Sequence, residues 1–188
     1  MIQLSETIEG QLWSVVDPKL YEHDGCVVDV GCLYWNWSKV FLGRKRVIGV
    51  DPVEKECPEG AELFNGLLGP FNSSVSLSFN NDSTKINTSD DHEQQNYNMI
   101  SWKTFCKNYN IDKVSILKLN IEGSEYPLLH SMDSEDFSKI DQIAISFHDW
   151  LNPNWKHLTS SSLFLLKENG FTILQTFDKF GWYLAIKN

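Results

Sequence analysis

An α/β fold, built on a mainly parallel sheet that closes with an antiparallel hairpin, is what this 188-residue sequence predicts. Three observations carry it. Val27 to Val30 and Val47 to Val50 are short apolar, β-branched runs bounded by turn residues, as buried parallel strands are. Strand-like and helix-like segments then alternate along the chain. Finally, Phe171–Phe177 and Trp182–Lys187, joined by Asp178, Lys179, Phe180 and Gly181, read as a hairpin.

Taken in order, residues 1–25 mix apolar and charged positions around Pro18 and read as a short helix or cover segment. The first strand turns at Gly31. Trp35 to Leu42 offers one short helix, just enough for a βαβ crossover into the second strand, which ends at Asp51. Two prolines between Asp51 and Ala61 leave no room for a full helix, so the crossover after the second strand is abbreviated. Ala61 to Asn65 reads as a third strand, and Val75, Leu77 and Phe79 alternate with serines as in a half-exposed strand. Asn80 to Asn98 is polar apart from Ile86 and reads as a disordered insertion or a lid. Ser101 is placed to cap a helix through Trp102, Phe105 and Tyr109. Val114 to Ile121 is a fourth strand, and Glu125 to Ser131 a helix whose Pro127 is tolerated in the first turn. Gln142 to His148 is a fifth strand, and a helix from about Thr159 to Asn169 stops at Gly170. The length suits a single domain over residues 1–188.

Bulk properties narrow the function. A hydrophobic content of 41% marks a folded chain, and a formal charge of -9 disfavours a nucleic-acid backbone as partner. The basic cluster Arg44, Lys45 and Arg46 reads as a solvated turn. No apolar stretch is long enough to span a bilayer, and the segment from Met1 to Glu6 lacks the features of a signal peptide, so a cytoplasmic protein with no membrane partner is expected. Cys26, Cys32, Cys57 and Cys106 form neither a C-x-x-C pair nor a zinc set, and read as reduced packing residues. Sequons at Asn36, Asn72, Asn81 and Asn87 reflect Asn/Ser-rich loops. Asp90, Asp91, His92 and Glu93 adjoin in a soft loop that rarely converges on a cation, so no metal is expected.

The chemistry concentrates at strand ends. Asp29-x-Gly31 is a strand entering a tight turn, where a missing Cβ lets backbone approach a ligand. Asp51 offers a carboxylate to both hydroxyls of a ribose. In open α/β sheets such ends face one crevice; the alternative is that both acids only cap the following turn. A dinucleotide needs G-x-G-x-x-G, but here Leu33 and Tyr34 follow a single glycine and would crowd a pyrophosphate. S-adenosylmethionine carries no phosphate, and its amino group suits an Asp beside the turn. A second constellation is Lys118, Asn120 and Glu122, which share one face of a strand that breaks at Gly123. Charges on a buried strand are costly unless paired, so the cluster is either a site or a Lys118–Glu122 ion pair with Glu125 opening the next helix.

With these residues the chain resembles the FkbM-type, S-adenosylmethionine-dependent methyltransferases. The resemblance rests on Asp29-Val30-Gly31, on the block Lys118-x-Asn120-x-Glu122-Gly123-x-Glu125, and on a strand ending Ile145-Ser146-Phe147-His148, and covers Cys26 to Trp150. It implies a class I methyltransferase, Rossmann-like fold with a seven-stranded sheet. It further implies that Asp29 and Gly31 hold the methionine end of the cofactor, Asp51 the ribose, and that Asn65 neighbours the adenine. Asn120, Glu122 and His148 would line the methyl-transfer site. Three positions depart from the family pattern: Trp35 replaces a further glycine, Asp51 a glutamate, and Asn120 an aspartate. Trp35 would narrow the cofactor turn.

Methyl transfer gains most from holding the nucleophile near the methyl in a dry pocket. A hydroxyl acceptor also loses a proton, for which His148 is the natural base, oriented by Asp149 or Glu122. The expected activity is O-methylation of a saccharide or small metabolite, with Trp102, Trp150 and Trp155 available to stack on a ring. The rivals are a non-catalytic binding or scaffold module on the same fold, and a nicotinamide-dependent oxidoreductase.

Overall fold

Burial on both faces explains why the sequence runs through four strands without polar alternation. The computed structural model describes residues 3–6, 12–54, 56–80, 83–86, 96–177 and 181–188. Its strands are β1 (Gln3–Glu6), β2 (Leu12–Val16), β3 (Cys26–Val30), β4 (Val47–Val50), β5 (Ala61–Phe64), β6 (Leu67–Gly69), β7 (Ser73–Asn80), β8 (Ser83–Ile86) and β9 (Asn96–Ser101). There follow α1 (Trp102–Asn108), β10 (Val114–Leu119), α2 (Glu125–Ser131), α3 (Ser134–Ser138), β11 (Gln142–Ser146), α4 (Lys156–Glu168), β12 (Phe171–Phe177) and β13 (Trp182–Lys187). The main sheet has seven strands in the order β12-β13-β11-β10-β3-β4-β5. From β5 to β11 neighbours are parallel, and β13 runs antiparallel to both β11 and β12.

Every residue of β3, β4, β10 and β11 is buried, as a parallel sheet covered on both sides requires. One face, with Val28, Ile48, Leu117 and Ile145, packs on Phe105, Leu128, Leu129 and Phe137. The other, with Val27, Val47, Ile116 and Ala144, packs on Trp35, Trp37 and Phe41. Ser101 caps α1 by accepting from the Thr104 amide.

Several expectations are corrected. The segment from Trp35 to Leu42 is not one helix: 3-10 turns at Leu33–Trp35 and Ser38–Phe41 replace it. Trp35, Trp37, Ser38 and Phe41 are buried, and Trp35, Ser38 and Phe41 fall at the spacing of three that suits the 3-10 repeat. The amino-terminal cover is a hairpin of β1 and β2 plus a 3-10 turn. Its anchor is Gln142 on β11, whose side chain accepts from the Asp17 amide at 2.9 Å and donates to the Asp17 carbonyl at 3.0 Å. The polar stretch after Asn80 contributes β8 and β9 to a second sheet, ordered β6-β9-β7-β8. The remaining residues of that stretch, 81–82 and 87–95, lie outside the described residues, and with them the lid reading and the run Asp90 to Glu93. The sequence reading also missed α3, which begins in a capping box between Asp133 and Asp136.

The basic cluster lies in an exposed turn, as expected, and also ties that turn to the fold. Arg46 forks onto Glu62 at 2.6 and 3.0 Å and donates to the carbonyls of Tyr109 and Asn110. Lys45 reaches the His23 carbonyl and Ser115 Oγ, and the Arg44 guanidinium lies over the Tyr21 ring. All four cysteines are free, with burial pushing the Cys26 and Cys106 thiols up to about 11 and about 12. No helix among the described residues is long and apolar enough to cross a membrane.

Candidate active site

After β5 the chain returns to lay β10 against the opposite side of β3. That reversal of strand order opens a crevice at the carboxyl ends of β3 and β10, the usual place for a ligand in an open α/β sheet. Gly31 stands at its floor with φ +81, and a Cβ there would fall 2.2 Å from the Asn120 carbonyl oxygen. The Asn120 amide donates to the Val30 carbonyl at 3.1 Å, and the Gly31 amide to the Val50 carbonyl at 2.8 Å. The Cβ direction at Gly31 is therefore filled by the neighbouring strand, a requirement for glycine that the fold itself imposes.

Asp29 and Lys118 are register partners on β3 and β10. Their side chains are 1% and 7% exposed, and Lys118 Nζ lies 2.8 Å from Asp29 Oδ1. Nζ also donates to the Gly31 carbonyl at 2.6 Å. Off the hydrogen-bond line, the Asp29 contact is ionic, and neither carboxylate oxygen has a hydrogen-bond donor among the described residues. Lys118 thus pairs with Asp29 rather than with Glu122.

Asp51 and Asn65 meet in the loop after β4. Asp51 Oδ1 accepts from the amides of Val53 and Glu54 at 2.9 and 3.0 Å. Burial raises its pKa, opposed by these bonds and by one from the Leu33 amide. The Asn65 side-chain amide points at the carbonyls of Asp51, Pro52 and Glu54, at 3.1, 3.1 and 2.7 Å, and so holds that loop in place. Glu54, absent from the sequence reading, is almost fully buried. Its carboxylate accepts from the Tyr34 amide at 2.7 Å and the Glu56 amide at 2.9 Å. An acid three residues after Asp51 is a spacing that capping pairs use, and it was the available signal.

Tyr34 and Trp35 both have positive φ, at 62 and 56. That swing carries the Trp35 ring out of the turn: a Cβ on Gly49 would lie 2.3 Å from it, and its Nε1 donates to the Glu56 carbonyl at 2.8 Å. Trp35 covers the sheet beside the turn without filling it.

At the ends of β10 and β11 lies a second cluster. Glu122 and Gly123 have φ of 55 and 102, a conformation rare for glutamate. Glu125, fully buried, opens α2 and accepts at Oε1 from both the His148 amide, at 3.0 Å, and His148 Nδ1, at 2.8 Å. Its Oε2 accepts from the Gly123 amide at 2.9 Å. On the other edge of the ring, His148 Nε2 lies 3.4 Å from Glu122 Oε1. Burial pulls the His148 pKa down, but the hydrogen bonds and charges of Glu122 and Glu125 outweigh it and push the value up to about 9. Glu125, not Asp149, is the orienting acid. Asp149 instead accepts from Thr159 Oγ1 at 3.0 Å. The half-buried Asn120 side chain has no hydrogen-bond partner among the described residues.

A pH dependence follows. His148 is about 6.5 when unfolded and about 9 in the fold. Its contribution is fully present below the lower value and is lost as pH rises through the upper one. Unfolding free energy should fall by about 3 kcal/mol between about pH 6 and about pH 9.5. In His148→Gln, denaturant unfolding at the two pH values should give nearly equal midpoints. An undiminished slope in that variant would count against the assignment.

Of the aromatic candidates, Trp102 is buried in the core, and Trp155 lies on Gly123 and edge-on to Tyr126. Trp150 is 54% exposed, with its ring centroid 5.7 Å from that of His148. Among the described residues at these strand ends, five carboxylates (Asp29, Asp51, Glu54, Glu122 and Glu125) stand with two cations, Lys118 and His148. Such a balance favours a cationic ligand and repels a pyrophosphate.

The profile of the family described as "Methyltransferase FkbM domain" matches residues 65–173. No curated protein matches the sequence. Among solved structures, the chain is similar to the methyltransferase FkbM of Methylobacillus flagellatus KT, with a TM-score of 0.53 and 17% identity. The alignment covers 87% of this chain but 43% of that one, so the chain spans less than half the length of that protein. At that identity the likeness concerns the fold, and it agrees with the mainly parallel seven-stranded sheet and terminal hairpin.

Proposed function

The chain belongs to the FkbM methyltransferase domain family, and from that premise we propose that it moves a methyl group from S-adenosylmethionine to a hydroxyl of a saccharide or small metabolite in the cytoplasm. The observation that carries the reading is that Asp29, Asp51, Asn120, Glu122 and His148 all stand toward the carboxyl ends of the adjacent parallel strands β11, β10, β3 and β4, around the switch of strand order.

The donor set fits this cofactor. Bound there, S-adenosylmethionine supplies an electrophilic methyl on a positively charged sulfur. The carboxylate excess favours that charge, and the Trp35 ring is turned onto Gly49. Asp51 would take the ribose hydroxyls with the lone pairs its loop amides leave over, and Asn65, locked to the same loop, would border the adenine. Asn120, whose side-chain amide has no hydrogen-bond partner among the described residues, would border the reacting centre beside Gly31. The acidic crevice weighs against a nicotinamide dinucleotide.

Calorimetric titration tests the reading. Binding of S-adenosylmethionine in the micromolar range is expected, and weaker binding by Asp51→Ala. No heat at high micromolar cofactor would leave a scaffold or binding module on the methyltransferase fold. Trp150 would supply the ring platform for the acceptor. With methyl glycosides as probe acceptors, Trp150→Ala should raise KM about tenfold and leave kcat within about twofold, while Trp150→Phe stays near wild type. An unchanged KM in the alanine variant would remove Trp150 from acceptor binding.

A further inference from the structure

The sequence alone gives the proton-accepting role to His148, but the ring is poorly placed to meet a substrate. It is 3% exposed, and each nitrogen faces a carboxylate oxygen: Nδ1 faces Glu125 and Nε2 faces Glu122. A carboxylate has no proton to give, so the ring satisfies both neighbours only by donating from both nitrogens. An acceptor hydroxyl could reach Nε2 only by displacing Glu122. Of the three side chains, Glu122 is the one open to the crevice, at 26% exposure against 3% and 0%.

From this geometry we infer that Glu122 takes the proton of the acceptor hydroxyl, and that His148, locked by Glu125, is a positioning residue that stays doubly protonated and holds the Glu122 carboxylate. The inference rests on the methyl-transfer reading of the same crevice. In the step it describes, the acceptor O–H bond breaks toward a Glu122 oxygen as the new O–CH3 bond forms. The S–CH3 bond breaks with its electrons left on sulfur, so S-adenosylhomocysteine departs neutral at sulfur and the proton remains on Glu122.

The backbone agrees with that division of labour. Glu122 occupies a left-handed conformation that is unfavourable for a non-glycine residue, and such outliers gather where a side chain must be aimed. Charges facing His148 come from Glu122 and Glu125 in the β10–α2 turn. Trp150 presents only an indole, Tyr126 on α2 meets the residue through its backbone, and Asp149 is turned to Thr159.

The test is a histidine-selective nitrogen NMR titration of the full chain, with His148→Gln assigning the signal. Both His148 nitrogens should carry protons at neutral pH, with deprotonation near the value of about 9 set by its neighbours. In Glu125→Gln the midpoint should fall by at least about one unit, since one charge partner is gone. A neutral His148 at pH 7 in the wild type would overturn the inference whether or not an acceptor has been found. Initial rates with methyl glycosides add a second measure. With Glu122 as acceptor, kcat/KM should be level between about pH 7 and about pH 9, and Glu122→Gln should lower kcat at least about 100-fold, far more than it weakens cofactor binding. A rise of about 50-fold over that interval would return the role to His148. Failure of S-adenosylmethionine to bind sinks the methyl-transfer reading, a result separate from the protonation state of His148.

Discussion

Asp29→Ala should destabilise the protein by about 3–5 kcal/mol, the cost of stranding a buried cation. Lys118 is almost fully buried and lies against the Asp29 carboxylate, with the Gly31 carbonyl as its other partner. Removing the aspartate leaves an almost fully buried ammonium with the Gly31 carbonyl as its remaining partner. The companion variant Lys118→Met should cost a similar amount, because it abandons a carboxylate that has no hydrogen-bond donor among the described residues. Asp29→Ala/Lys118→Met should recover much of the loss, since apolar replacements of buried pairs are often near neutral. Denaturant unfolding of the three variants checks this. A single variant within about 1 kcal/mol of wild type would mean that water reaches the pair. The same chemistry warns that weaker cofactor binding by Asp29→Ala does not by itself mark a cofactor contact, because the pair holds Gly31 and the turn.

How much was legible in the sequence depended on how local the determinants are. The β-branched runs of β3 and β4, the Ser101 cap, α2 and the terminal hairpin depend on neighbours a few residues away, and the expected positions agree with the structure. The hairpin of β1 and β2 does not: it is held by Gln142, more than a hundred residues downstream. Likewise β8 and the start of β9 are polar in sequence but paired in a small sheet, so composition alone reads them as loop. The site divides in the same way. Asp29, Asp51, Glu122 and His148 announce themselves as polar groups at the ends of apolar runs. Which acid meets which base is a matter of register, and the pairing of Lys118 with Asp29 and of His148 with Glu125 requires strands to be set side by side. Glu125 is the sharpest instance. In sequence it is a first-turn helix acid, and in the fold it is a fully buried carboxylate with three hydrogen bonds.

Gly31→Ala separates the two explanations of that glycine. A ligand-clearance role predicts a folded variant with impaired cofactor binding. The observed geometry predicts loss of the fold's own junction: the new methyl would sit 2.2 Å from the Asn120 carbonyl oxygen, and backbone cannot turn aside as a side chain would. The left-handed φ of +81 adds a further penalty for any residue with a Cβ. Together these should destabilise the protein by about 4 kcal/mol, combining the conformational cost with overpacking at a backbone contact. Relief would require β10 to slide from β3, and that motion would break the Asn120 to Val30 hydrogen bond and pull Lys118 from the Gly31 carbonyl. Thermal unfolding followed by far-ultraviolet dichroism should therefore register the substitution without any ligand present. A variant as stable as wild type that failed only in cofactor titration would give the glycine back to the ligand. Because Gly31 joins the two strands whose ends carry Asp29 and Glu122, its substitution should disturb both halves of the crevice at once, which no single side-chain replacement there is expected to do.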